Sequence, residues 1–502
     1  MKELEDASAL HYPRIKTTPD SINCKEFKKK YEYIQAEDSE KEQKVTLRGR
    51  VYSSRIAGSK LIFLDIVQDG TRVQALCNFG PLEAEGLTKQ QFKAFYHLVR
   101  RGDIVEIAGY PHRTKRGELS IYAKALPEIL TPALASLPEV LEDPQKRIQN
   151  RHIDTLVNKR VADRLRLRSH IIQYIRTFLL QDSFLEVQTP ILAADAGGAT
   201  ARPFVTTATE FPSKKLSLRI APEIWLKRLV IGGMDRVFEI GTVFRNEGID
   251  ATHNPEFTTC EFYKSFADLE ELMGMTESMV SGLAQRVNEL ITSELTGLKP
   301  VNVDEYAGPF QRIEFIPALE KAMGRKFPDL ASPSAAEDVK ALYHDLQIPL
   351  PHSPTLPRLL DALAAHYLEP LFTRPTFLTH HPSCLAPLAK SFPCPTTHQQ
   401  VSARAELFIA HKEIANMYEE ENSPIAQRRK FEEQIQWKDE ENEAVVDEGY
   451  VRALESGLPP TGGWGMGLER VCMMFAGAGR IGDVMGFGTL RNVVALGAEG
   501  KP

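Results

Sequence analysis

A chain of 502 residues with 42% apolar side chains has room for about two or three globular domains, and no apolar run of ~18 residues is present to cross a membrane. Its six cysteines form no CxxC pair and no regular framework, which argues against a zinc ribbon or a disulfide-stapled scaffold and suits a reducing compartment. A net charge of −6 argues against nonspecific coating of nucleic acid, while leaving room for a local basic patch that meets RNA.

Residues 1–43 read as an N-terminal extension. Its opening run, MKELEDASAL, is acidic and lacks an apolar core, so it reads as neither a secretory signal nor an arginine-rich transit peptide. Lys28, Lys29 and Lys30 form a basic patch that reads as a solvated face. From 44 to 130 come five short strand-like runs, VTLRGRVYSSR, KLIFLDIVQDG, TRVQALCNF, DIVEIAGYPHR and ELSIYAKAL, punctuated by Gly, Asp and Asn. Five such strands predict an OB-fold barrel, a fold that binds unstacked bases on aromatic platforms and polar edges. Arg55, Phe63, Gln74 and Glu118 are polar or aromatic residues on these predicted strands; for Phe63 the competing reading is an ordinary core side chain. Residues 131–160, with Pro132, Pro138 and Pro144, read as a linker. A second basic patch runs through Lys146, Arg147, Arg151, Lys159, Arg160, Arg164, Arg166 and Arg168, which suits RNA or a solvated face. A helix is expected from about 161 to 181, because Leu165, Ile172, Ile175 and Leu179 recur at helical spacing, with Leu167, Ile171, Tyr174 and Phe178 alongside. That many apolar positions predict burial on more than one side.

The run GGATARPF at 197–204 allows a backbone to approach a ligand closely, or simply makes a turn. In LRIAPEIWLK at 218–227, Pro222 suits the start of a helix with Glu223 in its first turn, where an acid also complements the helix dipole. Residues 241–263, GTVFRNEGIDATHNPEFTTCEFY, read as two antiparallel strands joined by a long loop. On such a hairpin Arg245 and Glu247 share one face, and Glu261 and Tyr263 share another. An arginine among carboxylates suits a substrate with both phosphate and amine, or an exposed salt-bridged hairpin. Helical periodicity follows from about 265, then a proline-broken insertion at about 300–375 without a catalytic motif. His380, His381, Cys384 and Cys394 crowd one region, but their spacing fits no metal-ligand pattern well. In ARAELFIAHKEIANMYEEENSP at 403–424, Glu406, Phe408 and Ala410, and then Glu413, Ala415 and Met417, alternate as strands do, and Asn416, Tyr418 and Glu420 alternate onto one face. Gly465 and Gly467 precede a helix that begins near Leu468 and carries Arg470 in its first turn. There is no GxxxxGK[ST] loop and no GxGxxG between a strand and a helix, so P-loop and Rossmann readings fail.

Three of these stretches resemble, in order, the signatures of the class II aminoacyl-tRNA synthetases: FLEVQTP at 184–190, FRNE at 244–247 and GWGMGLER at 463–470. With HNPEFT at 253–258 and the GGATARPF run, the sequence is similar to the lysine enzymes of that class from about residue 12 to 494. The resemblance implies an α+β architecture: an OB-fold anticodon-binding domain at 44–130, and a catalytic domain at 161–502 built on a mainly antiparallel sheet with flanking helices. It implies a lysine–tRNA ligase that activates L-lysine with ATP to lysyl-adenylate, releases pyrophosphate, and transfers lysine to the 3′ end of tRNA-Lys. By resemblance, Arg245 and Arg470 hold phosphate, Glu406 and Glu413 bind Mg2+, and Glu247, His253, Asn254, Phe257 and Gly467 complete the ATP site. Gly198, Glu223, Glu261, Tyr263, Asn416, Tyr418 and Glu420 match the lysine pocket, and Arg55, Phe63, Gln74 and Glu118 match anticodon contacts. The helix at 161–181 matches a homodimer interface, with plain packing inside one subunit as the alternative. GFGTLRN at 486–492 departs from most lysine enzymes and looks more like fungal mitochondrial members, which implies the mitochondrial matrix, and otherwise the cytoplasm.

Overall fold

The computed structural model describes residues 12–194, 197–198, 201–436 and 446–498. The chain forms two compact units that divide after residue 140. The run MKELEDASAL, and Ala199 and Thr200 of the glycine run, lie outside the described residues.

In the first unit, β1 (Val45–Ala57), β2 (Leu61–Gln68), β3 (Thr71–Asn78), β4 (Ile104–Arg113) and β5 (Leu119–Ala123) pair in the order β1-β2-β3-β5-β4, and β4 pairs back onto β1. That closes a five-stranded barrel, with β6 (Glu128–Thr131) added beside β4. The alternation read from the sequence is the reason. Leu47, Ile62, Leu64, Val73, Ala75, Ile107 and Ile121 fill the interior, and their neighbours face outward. Residues ahead of the barrel share this core: the helix Cys24–Lys30 buries Cys24 and Phe27 against it, followed by Tyr31 and Ile34.

The second unit is built on an eight-stranded sheet. Its strands are β7 (Leu185–Glu186), β8 (Arg236–Phe244), β9 (Glu256–Ser265), β10 (Gln311–Glu314), β11 (Thr376–Thr379), β12 (Arg404–Ile409), β13 (Lys412–Glu419) and β14 (Thr461–Gly467), in the order β10-β11-β12-β13-β14-β9-β8-β7. Only the two outermost pairs are parallel. Helices Lys159–Gln181, Leu269–Ser293 and Leu468–Phe475 cover one face, where Leu167, Ile171, Ile175 and Leu179 pack against Leu283, Val287, Phe262 and Trp464 in the main core. On its other side the Lys159–Gln181 helix is less covered: Ile172, Tyr174 and Phe178 pack against the edge of that core, and Leu165, Ile172 and Leu180 line a shallow surface groove with Arg168 and Arg176.

The stretch read as a linker is ordered from residue 144. Helices Pro144–Gln149 and Arg151–Val157 are held to the second unit by buried Arg151, which pairs with Asp154 at 2.9 Å and donates to the carbonyls of Met485 and Gly486. The insertion has a core of its own, in which helices Phe315–Met323, Ala335–Asp345 and Leu356–Tyr367 bury Leu319, Val339, Leu359 and Leu363.

Candidate active site

A cavity of about 740 Å³ lies over the open face of β9, β12, β13 and β14. Its floor follows from register. Across β13, β14 and β9, Asn416 pairs with Gly465 and Gly465 with Glu261; one step along, Tyr418 pairs with Gly463 and Gly463 with Tyr263. The glycines of GGWGMG therefore stand between the functional side chains, while alternate Trp464 and Met466 point into the core. A Cβ at Gly463 would fall 1.9 Å from Glu420 Oε1 and 2.7 Å from the Tyr263 ring, and one at Gly465 would touch Glu261 at 3.5 Å. At Gly463 glycine is a requirement of space, while at Gly465 the contact is an ordinary one.

Glu223 opens the helix Glu223–Ile231 directly after Pro222 and is buried at the cavity wall. Gly198, at φ +94°, packs where a Cβ would come 3.0 Å from the Glu223 Cβ. Tyr418 donates its hydroxyl to both Glu223 oxygens, at 3.2 and 3.1 Å. Glu261 has no hydrogen-bond or ion-pair partner among the described residues, and burial, with Glu223 next, pushes its carboxyl up to about 8. Glu420 departs from its expected place. It is wholly buried, does not line the cavity, and is ion-paired with Lys227, which the sequence reading passed over. The i,i+4 spacing of Glu223 and Lys227 on a helix was the available signal.

At the far end of the cavity a β-bulge decides the arrangement. Strict alternation puts Glu413 on the core side with Ala415 and Met417. The register shifts between Leu407 and Phe408, so that Glu413 sits opposite Phe408, and Glu413 joins Glu406 and Asn416 in the cavity. Glu406 receives Arg404 at 2.5 Å and His381 at 3.1 Å. Burial opposes its ionisation, but Arg404 and then His381 hold its carboxyl down at about 2. Glu413 accepts from Arg470 at 3.2 Å, yet burial and then Glu406 raise its pKa. From the insertion, Asp361 and Glu369 also line this end, and burial and neighbouring acids raise both. No sequence motif marked those two. The acids outnumber their cationic partners here, and one or two such carboxylates suit a divalent cation whose other ligands are phosphate oxygens and water.

Arg470 also reaches His253 Nε2 at 3.1 Å, and His253 Nδ1 meets Asp250 at 2.8 Å. Because arginine only donates, His253 accepts at Nε2 and donates from Nδ1. Arg245 and Glu247 are not strand residues: β8 ends at Phe244, where β9 pairing stops, and both follow in the loop. They nonetheless line the cavity, with the Arg245 guanidinium 5.1 Å from the centre of the Phe257 ring. Asn254 touches the cavity but is buried, and its amide is committed to the backbone: Nδ2 donates to the Glu256 carbonyl at 2.8 Å and Oδ1 accepts from the Leu490 N–H at 2.9 Å. Gly467 borders open space, since a Cβ there would meet no atom within 4 Å. His380, His381, Cys384 and Cys394 do not converge, and among the described residues no cluster of three or more His, Cys, Asp or Glu is arranged to hold a metal.

On the barrel, Phe63 stands outside the core between buried Ile62 and Leu64. Arg55 lies opposite it on β1, its guanidinium 4.3 Å from the ring centre. Gln74 is buried and accepts from Ser120 Oγ at 3.3 Å. Glu118 is exposed in the turn just before β5 instead of on a strand, because Thr114 and Glu118 close that turn by hydrogen bonds.

The closed barrel, together with a mainly antiparallel sheet presenting arginines and carboxylates on one face, defines a class II aminoacyl-tRNA synthetase. The family model of the class II tRNA synthetases (D, K and N) matches residues 143–491, and that of the OB-fold nucleic acid binding domain matches 45–129. The chain is 41% identical over 456 residues to the mitochondrial lysine–tRNA ligase of Schizosaccharomyces pombe, covering 89% of this chain and 84% of that one. It is 40% identical over 474 residues to the lysine–tRNA ligase cla4 of Cladosporium cladosporioides, covering 91% and 77%. It is also 38% identical over 470 residues to a probable cytoplasmic lysine–tRNA ligase of Vairimorpha ceranae, covering 91% and 88%. The chain belongs to the lysine–tRNA ligase family.

Proposed function

We propose that the chain activates L-lysine with ATP and esterifies it to tRNA-Lys through the residues that line the cavity. The observation that carries the assignment is the buried, unpartnered carboxyl of Glu261 beside Glu223, with Arg245 and Arg470 toward the other end. A buried carboxyl without a partner is costly, and an incoming ammonium relieves that cost. Glu261 meets the lysine side-chain ammonium, Glu223 and the backbone at Gly198 meet the α-amino group, and Tyr263, Tyr418 and Asn416 bound the pocket. Phe257 stacks on adenine, with Glu247 and His253 beside it and Gly467 admitting the nucleotide; Asn254 holds the surrounding loop.

Arg245 holds the lysine carboxylate against the α-phosphate. A carboxylate oxygen attacks the α-phosphorus as the bond to pyrophosphate breaks. The terminal ribose hydroxyl of tRNA then attacks the carbonyl carbon, and AMP leaves. Such phosphoryl chemistry needs positioning and charge neutralisation, which the two arginines supply. Glu406 and Glu413 would hold Mg2+, which when bound neutralises charge on the ATP phosphates.

Aspartate or asparagine would need a free cation facing the substrate side chain. Lys227, beside Glu223, is buried, does not line the cavity and is already paired. ATP–pyrophosphate exchange with each of the twenty amino acids tests the reading: lysine alone supports exchange. Exchange with aspartate or asparagine, or with none, defeats it.

On the barrel, Phe63 and Arg55 form the proposed platform for an anticodon base, with Gln74 and Glu118 nearby. Phe63→Ala raises the KM for tRNA-Lys by roughly ten- to a hundredfold, from the usual ~1–3 kcal/mol of a base stacked on an aromatic ring, and leaves pyrophosphate exchange unchanged. An equal loss in both assays would place Phe63 in the fold instead. The groove of Leu165, Ile172 and Leu180, with Leu185, Ile191 and Leu192 also exposed on this unit, suits a second copy of the chain, so a homodimer is proposed. No helix among the described residues is long and apolar enough to cross a membrane. The proposed compartment is the mitochondrial matrix, on the likeness to the Schizosaccharomyces pombe enzyme; the Vairimorpha ceranae relative keeps the cytoplasm as the alternative.

A further inference from the structure

A second aromatic ring stands on the outside of the barrel, apart from Phe63. Tyr52 is the extra residue of a bulge in β1: Val51 pairs with Ile66 and Ser53 with Asp65, so no residue of β2 stands opposite it. Val51 and Ile66 are buried in the barrel core, whereas Ser53 faces outward and donates its hydroxyl to Asp65 at 2.6 Å. The bulge turns Tyr52 outward with Ser53, and the residue is 46% exposed.

Two guanidinium groups meet its ring, Arg72 of β3 at 5.2 Å from the ring centre and Arg101 at 5.1 Å. They are held differently. Arg72 is ion-paired with Asp65, which Ser53 also holds. Arg101 is placed by the turn that follows it: Gly102, at φ +103°, donates to the Val51 carbonyl, and the Val51 N–H donates to the Asp103 carbonyl, each at 2.8 Å. Its guanidinium is otherwise tied only loosely, at 3.4 Å from the Glu139 carbonyl.

This cluster shares the face that carries Phe63. The pairings Arg55–Phe63, Ser53–Asp65 and Asp65–Gln74 put those side chains on one side of the sheet, with Arg72 two residues before Gln74. Asp65 first, then Tyr52 and Glu118, raise the Arg72 guanidinium above its ordinary pKa against the opposing effect of burial, so Arg72 lies within reach of both. An arginine against an aromatic ring thus occurs twice on this face. An OB fold tracks about 4–16 nucleotides of a single strand, more than one platform can hold. Tyr52 and Arg55 are three residues apart on β1, roughly 10 Å of strand, which a neighbouring nucleotide of an unstacked chain can reach.

We propose that Tyr52, with Arg72 and Arg101, is a second base-stacking site of the barrel, taking a base of the anticodon loop other than the one on Phe63. The inference rests on the reading of Phe63 and Arg55 as an anticodon platform. Arg72, anchored by Asp65, stays against the ring. Arg101 moves off it, gives its place to the base, and pairs with a phosphate of the same strand, an oxyanion that suits the guanidinium fork.

The test is binding of the anticodon stem-loop of tRNA-Lys to the full chain, read by fluorescence anisotropy, alongside pyrophosphate exchange with lysine. Tyr52→Ala raises the Kd by roughly five- to a hundredfold and leaves exchange unchanged, while Tyr52→Phe, which keeps the ring, stays within about twofold of wild type. Arg101→Gln weakens binding and flattens the slope of log Kd against log salt by about 0.7, the share of one phosphate on a single strand. Stem-loops carrying one abasic nucleotide locate the partner: at one loop position the lesion weakens wild type but adds nothing to Tyr52→Ala, and that position differs from the one silent in Phe63→Ala. Wild-type affinity in Tyr52→Ala overturns the proposal. So does a single abasic position silent in both Tyr52→Ala and Phe63→Ala, since Tyr52 would then only support the first platform. An unchanged salt slope in Arg101→Gln overturns the phosphate contact. If Tyr52→Ala loses exchange in equal measure, Tyr52→Leu, which fills the space without stacking, replaces it under the same two criteria. A wild-type chain that does not bind the stem-loop rejects the anticodon reading itself, before any variant is compared.

Discussion

Exchanging Glu261 for glutamine raises the KM for lysine by roughly ten- to a hundredfold, because a charge-assisted hydrogen bond to the ammonium is worth about 1.5–3 kcal/mol. The KM for ATP stays near that of the wild type, since the lost contact is at the amino-acid end. Burial and the neighbouring Glu223 push the Glu261 carboxyl up to about 8, so below that pH the acid is largely protonated and lysine must displace a proton to bind. The wild-type KM for lysine therefore falls as pH rises from 6 toward 8, by up to about tenfold per unit, and then levels. Glutamine removes that slope. The same shift has a stability consequence. Between the ordinary 4.5 and about 8 the folded chain keeps a proton that the unfolded chain has lost, so this group's contribution to stability declines as pH rises through that window. Glu261→Gln consequently melts higher than wild type at pH 8 while binding lysine worse. A variant that melts lower, or that keeps the wild-type pH slope, would show Glu261 to be a structural acid.

The other large effect belongs to Arg470. Arg470→Met lowers the rate of lysine-dependent exchange by roughly 10²–10³-fold, the usual cost of removing one preorganised donor from a developing charge. Arg470 lowers the proton affinity of Glu413, which burial and Glu406 raise. Without the guanidinium, Glu413 holds its proton more tightly and is a poorer ligand for a cation. Half-saturation with magnesium accordingly moves to a higher concentration in the variant. The fold is little affected, because the Arg470 side chain is only part-buried and its contacts are to Glu413 and His253 at the cavity edge. A rate within tenfold of wild type, with unchanged magnesium dependence, would remove Arg470 from the phosphate end.

Much of the site was legible because its chemistry sits on regular elements. Glu261 and Tyr263 share a face on β9 as period two requires, and Glu223 follows Pro222 into the first turn of a helix. The barrel strands were readable for the same reason, since each must send alternate side chains inward. What alternation cannot show is a break in alternation. The bulge opposite Phe408 moves Glu413 to the cavity side, and β8 stops before Arg245. Asp361 and Glu369 come from an insertion with no motif of its own, and they reach the cavity only because its helices pack there.

Alone, the sequence determined the class of protein and the list of charged groups available to it, because strand period, helix starts and glycine positions are local properties of the chain. Only the tertiary structure decided which acids are free. Glu261 lies on β9 and Glu420 just past the end of β13, with β14 between the two strands, and in sequence they are indistinguishable as carboxylates; Lys227, from a helix almost two hundred residues before Glu420, pairs with that acid and leaves Glu261 to line the cavity. Charge compensation depends on distances of a few ångströms between segments far apart in the chain, and no local pattern encodes those distances.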